Sequence, residues 1–200
     1  IRTLPDYMFQ DCAKLQTVQF PMRLKTIGNY FFLRCKLLDN IQLPDTIREI
    51  GAEAFYGCTS LRAIKIPDGV TEIKYSTFSE CENLTDIKLP DSVKIIGEVA
   101  FSGCKSLVKI KLPARMSKIE STVFGRCTAL QKIALPEEIP AIEHQMFEGC
   151  VSLQDIYIPS SVKKVGLNAF SNCKSLSSVY FGGSKEMWDK VVIEMSDMST

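Results

Sequence analysis

Eight cysteines recur at an interval of 23 residues, and each follows a phenylalanine by three positions. Cys12, Cys35, Cys58, Cys81, Cys104, Cys127, Cys150 and Cys173 lie behind Phe9, Phe32, Phe55, Phe78, Phe101, Phe124, Phe147 and Phe170. A reactive centre is built once, whereas a residue repeated in register answers the same packing problem at every repeat. The chain is therefore a repeat array, and this constrains every later step of the reading.

The register extends well beyond the cysteines. Three residues after each one stands leucine, from Leu15 and Leu38 to Leu176. Six residues after it stands a β-branched residue, such as Ile41, Ile64 or Ile156. At eight residues come Phe20, Leu43, Ile66 and their equivalents, followed by proline in every repeat except the last, which has Gly182. Further apolar columns run through Leu24, Ile47 and Val70, and through Ile27, Ile50 and Ile73.

The segment LVKIKLP at 107–113 ends in alternating apolar and polar residues, the pattern of a half-buried strand. Stacking equivalent segments coil on coil gives a parallel sheet, and the proline at the end stops each strand by withholding a donor. VTEI at 70–73 predicts a second short strand across the coil, and AFSGC at 100–104 predicts a tight helical or 3₁₀ corner. One coil cannot stand alone. Ordering costs roughly 1–2 kcal/mol per residue, and each buried Leu, Ile or Phe returns only about 1.5–3 kcal/mol. Neighbours must cover both open faces of every coil, which makes a continuous solenoid.

The pattern AFxGCxSLxxIxLPxxVxxI, at 54–73 and 100–119, resembles the BspA-like leucine-rich repeats of bacterial and protozoan surface proteins. The resemblance covers residues 1 to about 181. It implies a leucine-rich-repeat solenoid, mainly β, with a parallel sheet on one face and short second strands and tight corners on the other. It also implies a secreted or surface-anchored array, extracellular in location, that binds proteins, matrix components or other cells without a catalytic site.

Residues 1–181 are expected to form the repeats and 182–200 a capping segment. Ile1 aligns with Leu24, so the chain opens inside a coil and is expected to be an excerpt. After Phe181 the register fails, and Trp188 falls where the fifteen-residue column would place Ile or Val. Trp188 is expected to lid the last coil, since an open terminal strand invites edge pairing.

Lys and Arg total 24 against 23 acids, a net charge of +1, which offers no general attraction to nucleic acid or anionic membrane. No apolar run approaches the ~20 residues of a membrane span. The cysteines, one per coil in one inward column, are expected to be free buried thiols without disulfides. No CxxC or CxH pair suggests a metal, and no glycine-rich loop suggests a nucleotide; no cofactor is expected. The single histidine, His144, falls in a variable column that reads as outward-facing, so no cysteine–histidine pair is expected and the chain is read as non-enzymatic.

Variation concentrates on the outward face of the long sheet. Seven residues after each cysteine the column reads Gln19, Gln42, Lys65, Lys88, Lys111, Ala134, Tyr157 and Tyr180. Five after, it contains Asn40, Ala63, Asp86, Lys109, Lys132 and Asp155. Lys65, Lys88, Lys111, Lys109 and Lys132 thus make a basic centre that grades into Tyr157 and Tyr180. Such a row either keeps an exposed sheet soluble or docks an acidic protein or sulfated glycan. The reading that follows is a monomeric adhesion or protein-interaction module for a host or cell-surface protein or glycan. The alternative is a spacer or targeting module of a larger secreted or surface-anchored enzyme.

Overall fold

The structure, a computed structural model, describes residues 2–195. Ile1 and the last five residues of the expected capping segment, 196–200, lie outside the described residues. The chain is a parallel β-solenoid of about 7 turns with almost no helix. Two ladders run along it. The long-sheet ladder contains β3 (Ala63–Lys65), β5 (Asp86–Lys88), β8 (Lys132–Ala134), β10 (Asp155–Ile158) and β12 (Ser178–Phe181). The second contains β1 (Thr26–Ile27), β2 (Glu49–Ile50), β4 (Glu72–Ile73), β6 (Ile95–Ile96), β7 (Lys118–Ile119), β9 (Ala141–Ile142), β11 (Lys164–Val165) and β13 (Val192–Ile193).

Register follows the sequence columns. Ile64 pairs with Ile87, Ile133 with Ile156, and Ile156 with Val179. Inward residues of the two ladders, the leucines after each cysteine and the phenylalanines form one contiguous core. The eight Phe rings from Phe9 to Phe170 stack with centroids 5.3–5.9 Å apart. Because each ring covers the next, the repeat interval in sequence becomes one layer in space.

The thiols have a directional role beyond filling space. In every coil from Cys35 to Cys173, Sγ donates to the carbonyl of the phenylalanine one coil back, from Phe9 to Phe147, at 3.0–3.2 Å. That same carbonyl accepts the backbone N–H of its own coil's cysteine, as Phe78 does from Cys81. A valine would fill the same space but could not donate.

The corners are tight, but they are runs of turns rather than helical or 3₁₀ segments. Two residues per coil adopt the left-handed region, for example Tyr30 and Arg34, Glu53 and Gly57, or Val99 and Gly103. A left-handed residue redirects the next peptide, so a helix cannot propagate. Alternate N–H groups instead point along the solenoid: Tyr30, Phe32 and Arg34 donate to Ala52, Ala54 and Tyr56. The corner thereby gains a ladder of its own.

Pro140 explains one interruption. Arg48, Lys94, Ser117 and Lys163 each donate a backbone N–H to the preceding coil. Pro140 stands at the equivalent position without that donor, and β7 is not paired with β9.

At the C-terminal end the structure revises the register of Trp188, which packs partly buried against the core. The short helix α1 (Lys185–Trp188), N-capped by Ser184, inserts five residues before the second ladder resumes. Ile193, not Trp188, pairs with Val165 and takes the fifteen-residue column. Trp188 packs on Phe181 instead, with ring centroids 5.1 Å apart. Glu194 fastens this end: it accepts from Lys164 Nζ at 2.7 Å and from the Leu167 N–H at 3.3 Å. His144 Nε2 lies 3.3 Å from the same carboxylate, so this outward-facing histidine has a partner in the capping segment. Lys164 holds the Glu194 carboxyl below its usual range.

Candidate ligand-binding surface

Strand alternation turns every second side chain of the long ladder outward. The burial pattern of β3, β5 and β8 is exposed, buried, exposed, with the isoleucine inside and the flanking residues out. Lys65 and Lys88 are direct register partners, and Lys109 bridges to Lys132. Tyr157 and Tyr180 are register partners next to Ala134. All seven residues singled out from the sequence are exposed on this face.

They are not equivalent electrostatically. Lys132 Nζ lies 2.7 Å from Asp155 Oδ2, and this contact raises the lysine and lowers the carboxyl. Lys65 lies 3.9 Å from Asp45, an aspartate almost wholly in water. Among the described residues, Lys88, Lys109 and Lys111 have no ion-pair partner. The basic centre therefore narrows to these three, with Lys65 weakly screened and Lys132 neutralised.

No ladder pairing joins β5 to residues 109–111. A depression of about 300 Å³ lies at this interruption, lined by Asp86, Lys88, Leu89, Lys109 and Lys111. A second depression, about 400 Å³, shares Asp86 and Lys88 and extends to Lys65, Asn40 and Gln42. A third, about 700 Å³, shares Asn40, Gln42 and Leu43 and reaches Gln19, Phe20 and Met22. Together they form one groove along the sheet face.

Asn40, Gln42, Gln19 and Asp45 were not singled out from the sequence. The first three occupy the same outward columns as the lysines, so their position was legible, but nothing in a single column shows that the surface dips there. The tyrosine end is separate from the groove. Tyr157 Oη lies directly over Gly182, the residue that replaces proline in the last repeat, so a side chain there would have to displace the tip of the tyrosine.

A family model described as BspA type leucine rich repeat region matches residues 2–105 and 71–196 in six copies. The chain belongs to the BspA-type leucine-rich-repeat family. This BspA-type array is similar to a solved leucine-rich-repeat protein of T. pallidum, with 29% identity and a TM-score of 0.60 over 88% of this chain and 72% of that one. It is similar to a leucine-rich-repeat protein of Bacteroides ovatus at 25% identity, with a TM-score of 0.63 over 100% of this chain and 68% of the other. The pneumococcal vaccine antigen PcpA, at 16% identity and TM-score 0.55, covers 94% of this chain with 62% of its own and shows the shared fold alone. No curated protein sequence matches. Repeats of this family are generally non-catalytic protein-interaction or surface modules.

Burial pushes Cys35 and Cys173 up to about 11 and Cys127 to about 12, so these thiols stay protonated at neutral pH. Each is committed to a phenylalanine carbonyl, and a thiolate is what nucleophilic work requires. Among the described residues no group of three or more His, Cys, Asp or Glu is gathered as for a metal, and no helix is long and apolar enough to cross a membrane.

Proposed function

We propose that this protein is a non-catalytic adhesion or interaction module, displayed extracellularly, that holds a protein or glycan on the outward face of its long sheet. The observation that carries the reading is the clustering of three lysines, Lys88, Lys109 and Lys111, around one depression of the sheet face, with no ion-pair partner among the described residues. Other cations of the array are neutralised by carboxylates, as Arg34 is by Asp11, Lys105 by Glu82 and Arg126 by Glu80. Cations clustered without partners offer an external anion a site without prior competition. Lys65 extends this row, while Tyr157 and Tyr180 add an apolar flank with hydroxyls, a residue type enriched at interfaces. The module acts as a monomer, with residues 1–181 as the binding array and 182–200 as its closing segment.

The test compares the wild-type domain with the combined Lys65→Glu, Lys88→Glu, Lys111→Glu variant against immobilised matrix proteins, mucins and sulfated glycans. Binding by the wild type and loss in a variant that melts normally is the expected result. Equal binding by both proteins would remove the sheet face from the function, and no binding by either would favour a spacer.

A further inference from the structure

We infer that the groove is a seat for a linear sulfated polysaccharide, with its sulfates at the Lys88, Lys109 and Lys111 end and its hydroxyls at the Gln19, Asn40 and Gln42 end. This rests on the sheet-face reading above and selects one ligand class from it. The first observation is what lines the groove. Between Asn40 and Lys111 its two outward rows hold Asn40, Ala63, Asp86 and Lys109, and Gln42, Lys65, Lys88 and Lys111. None is aromatic or a large aliphatic residue. Protein interfaces draw their affinity from buried aromatic, aliphatic and arginine anchors, and lysine is depleted from them. A protein partner would find few anchors here.

A sulfated glycan asks for what is present. Side-chain amides donate and accept at once, matching hydroxyls that do the same. Ammonium groups pair with sulfate oxygens through charge-assisted hydrogen bonds. Apolar surface for the C–H face of a sugar is offered by Phe20, Leu43 and Pro44 at the far end and by Leu89 at the lysine end. The second observation is shape. The three depressions share residues, so the groove is continuous over several coils and runs across the strands. Lys65 and Lys88, register partners in one row, stand about 4.8 Å apart along it. An extended peptide repeats its same-face side chains at about 6.6 Å and drifts out of step with that row. The one carboxylate at the lysine end, Asp86, is exposed.

The experiment measures binding of the whole domain to heparin, to chemically desulfated heparin and to the matrix-protein panel. Two variants are compared: Lys88→Glu, Lys109→Glu, Lys111→Glu, and Gln19→Ala, Asn40→Ala, Gln42→Ala. All six side chains are exposed, so both variants should melt like the wild type. The lysine variant should bind heparin about a hundredfold more weakly, the amide variant should also lose affinity, and desulfated heparin should bind weakly. Unchanged heparin binding in the lysine variant overturns the inference. Loss in the lysine variant with none in the amide variant reduces the site to a charge patch and overturns the groove. Binding of a panel protein through the lysines, with no heparin binding, overturns the glycan inference while leaving the sheet-face function standing. No binding of any probe overturns both.

Discussion

Replacing Phe101 by alanine should cost more than the same change at Phe170, because the array is stabilised between neighbours. Phe101 is fully buried and stacks on Phe78 at 5.7 Å and on Phe124 at 5.9 Å. Removing a fully buried phenylalanine costs about 3–5 kcal/mol, from lost transfer energy and the cavity left behind. Phe170 is only partly buried and stacks on one ring, Phe147, at 5.5 Å. With about half the contact, its truncation should cost about half as much, roughly 1.5–2.5 kcal/mol. A typical domain has about 5–15 kcal/mol in all, so the central change is severe and the terminal one is tolerable. Urea unfolding at constant slope measures both. Hydrogen exchange should localise the damage, since an opening at Phe101 exposes the coils on either side and one at Phe170 frays the end. Equal costs at the two positions would refute the nearest-neighbour account, as would a cost below about 1 kcal/mol at Phe101.

Burial raises the thiols of Cys35 and Cys173 to about 11 and of Cys127 to about 12, whereas an unfolded thiol titrates near about 8.5. The folded state thus keeps protons that the unfolded state releases. The stabilisation is complete below about pH 8.5 and is lost as pH rises through the folded values, so the urea midpoint should fall steadily in alkali. At pH 8 a thiol reagent should modify the exposed Cys12 quickly and the buried cysteines only on unfolding. Val99 is β-branched yet left-handed, at φ 52°. Asparagine tolerates that region, as Asn168 does in the same column, so Val99→Asn should raise stability by about 1 kcal/mol in urea unfolding. Gly103→Ala should lower it by about 1–2 kcal/mol, because the new Cβ would meet the Glu80 carboxylate that reaches across Gly103 to Arg126. Glu194→Gln should leave the central coils unchanged and speed hydrogen exchange at the Val192 amide, which donates to Lys163, since it weakens the hold of Lys164 and His144 on the closing segment.

Much of the fold was legible from the columns. Ile64, Ile87 and Ile156 were assigned inward, and Lys65, Lys88, Tyr157 and Tyr180 outward, because a strand alternates and the repeat restores the same phase in each coil. The corner was harder to read. AFSGC has the composition of a short helical turn, but its geometry depends on left-handed residues such as Val99 and Arg126 that propensity disfavours and inter-coil hydrogen bonds sustain. Trp188 was placed by counting, and counting fails once α1 inserts extra residues before Ile193 regains the ladder. The cysteine column was visible at once, yet its bond to the phenylalanine carbonyl of the preceding coil lies 26 residues away and has no local signature.

The sequence by itself determined the coil length, the parallel stacking, the inward columns and the exposed rows, since all four are properties of a period and its phase. Tertiary structure decided which members of those rows are free to act. Lys132 and Lys88 look alike in sequence, but Asp155 reaches one and no carboxylate reaches the other. The Arg126–Glu80 pair spans two coils across a glycine, and one depression of the groove lies where β5 and residues 109–111 fail to pair. Charge neutralisation and surface shape depend on distances between side chains from different coils, and a repeat pattern specifies the layer on which a residue sits without specifying what its side chain meets there.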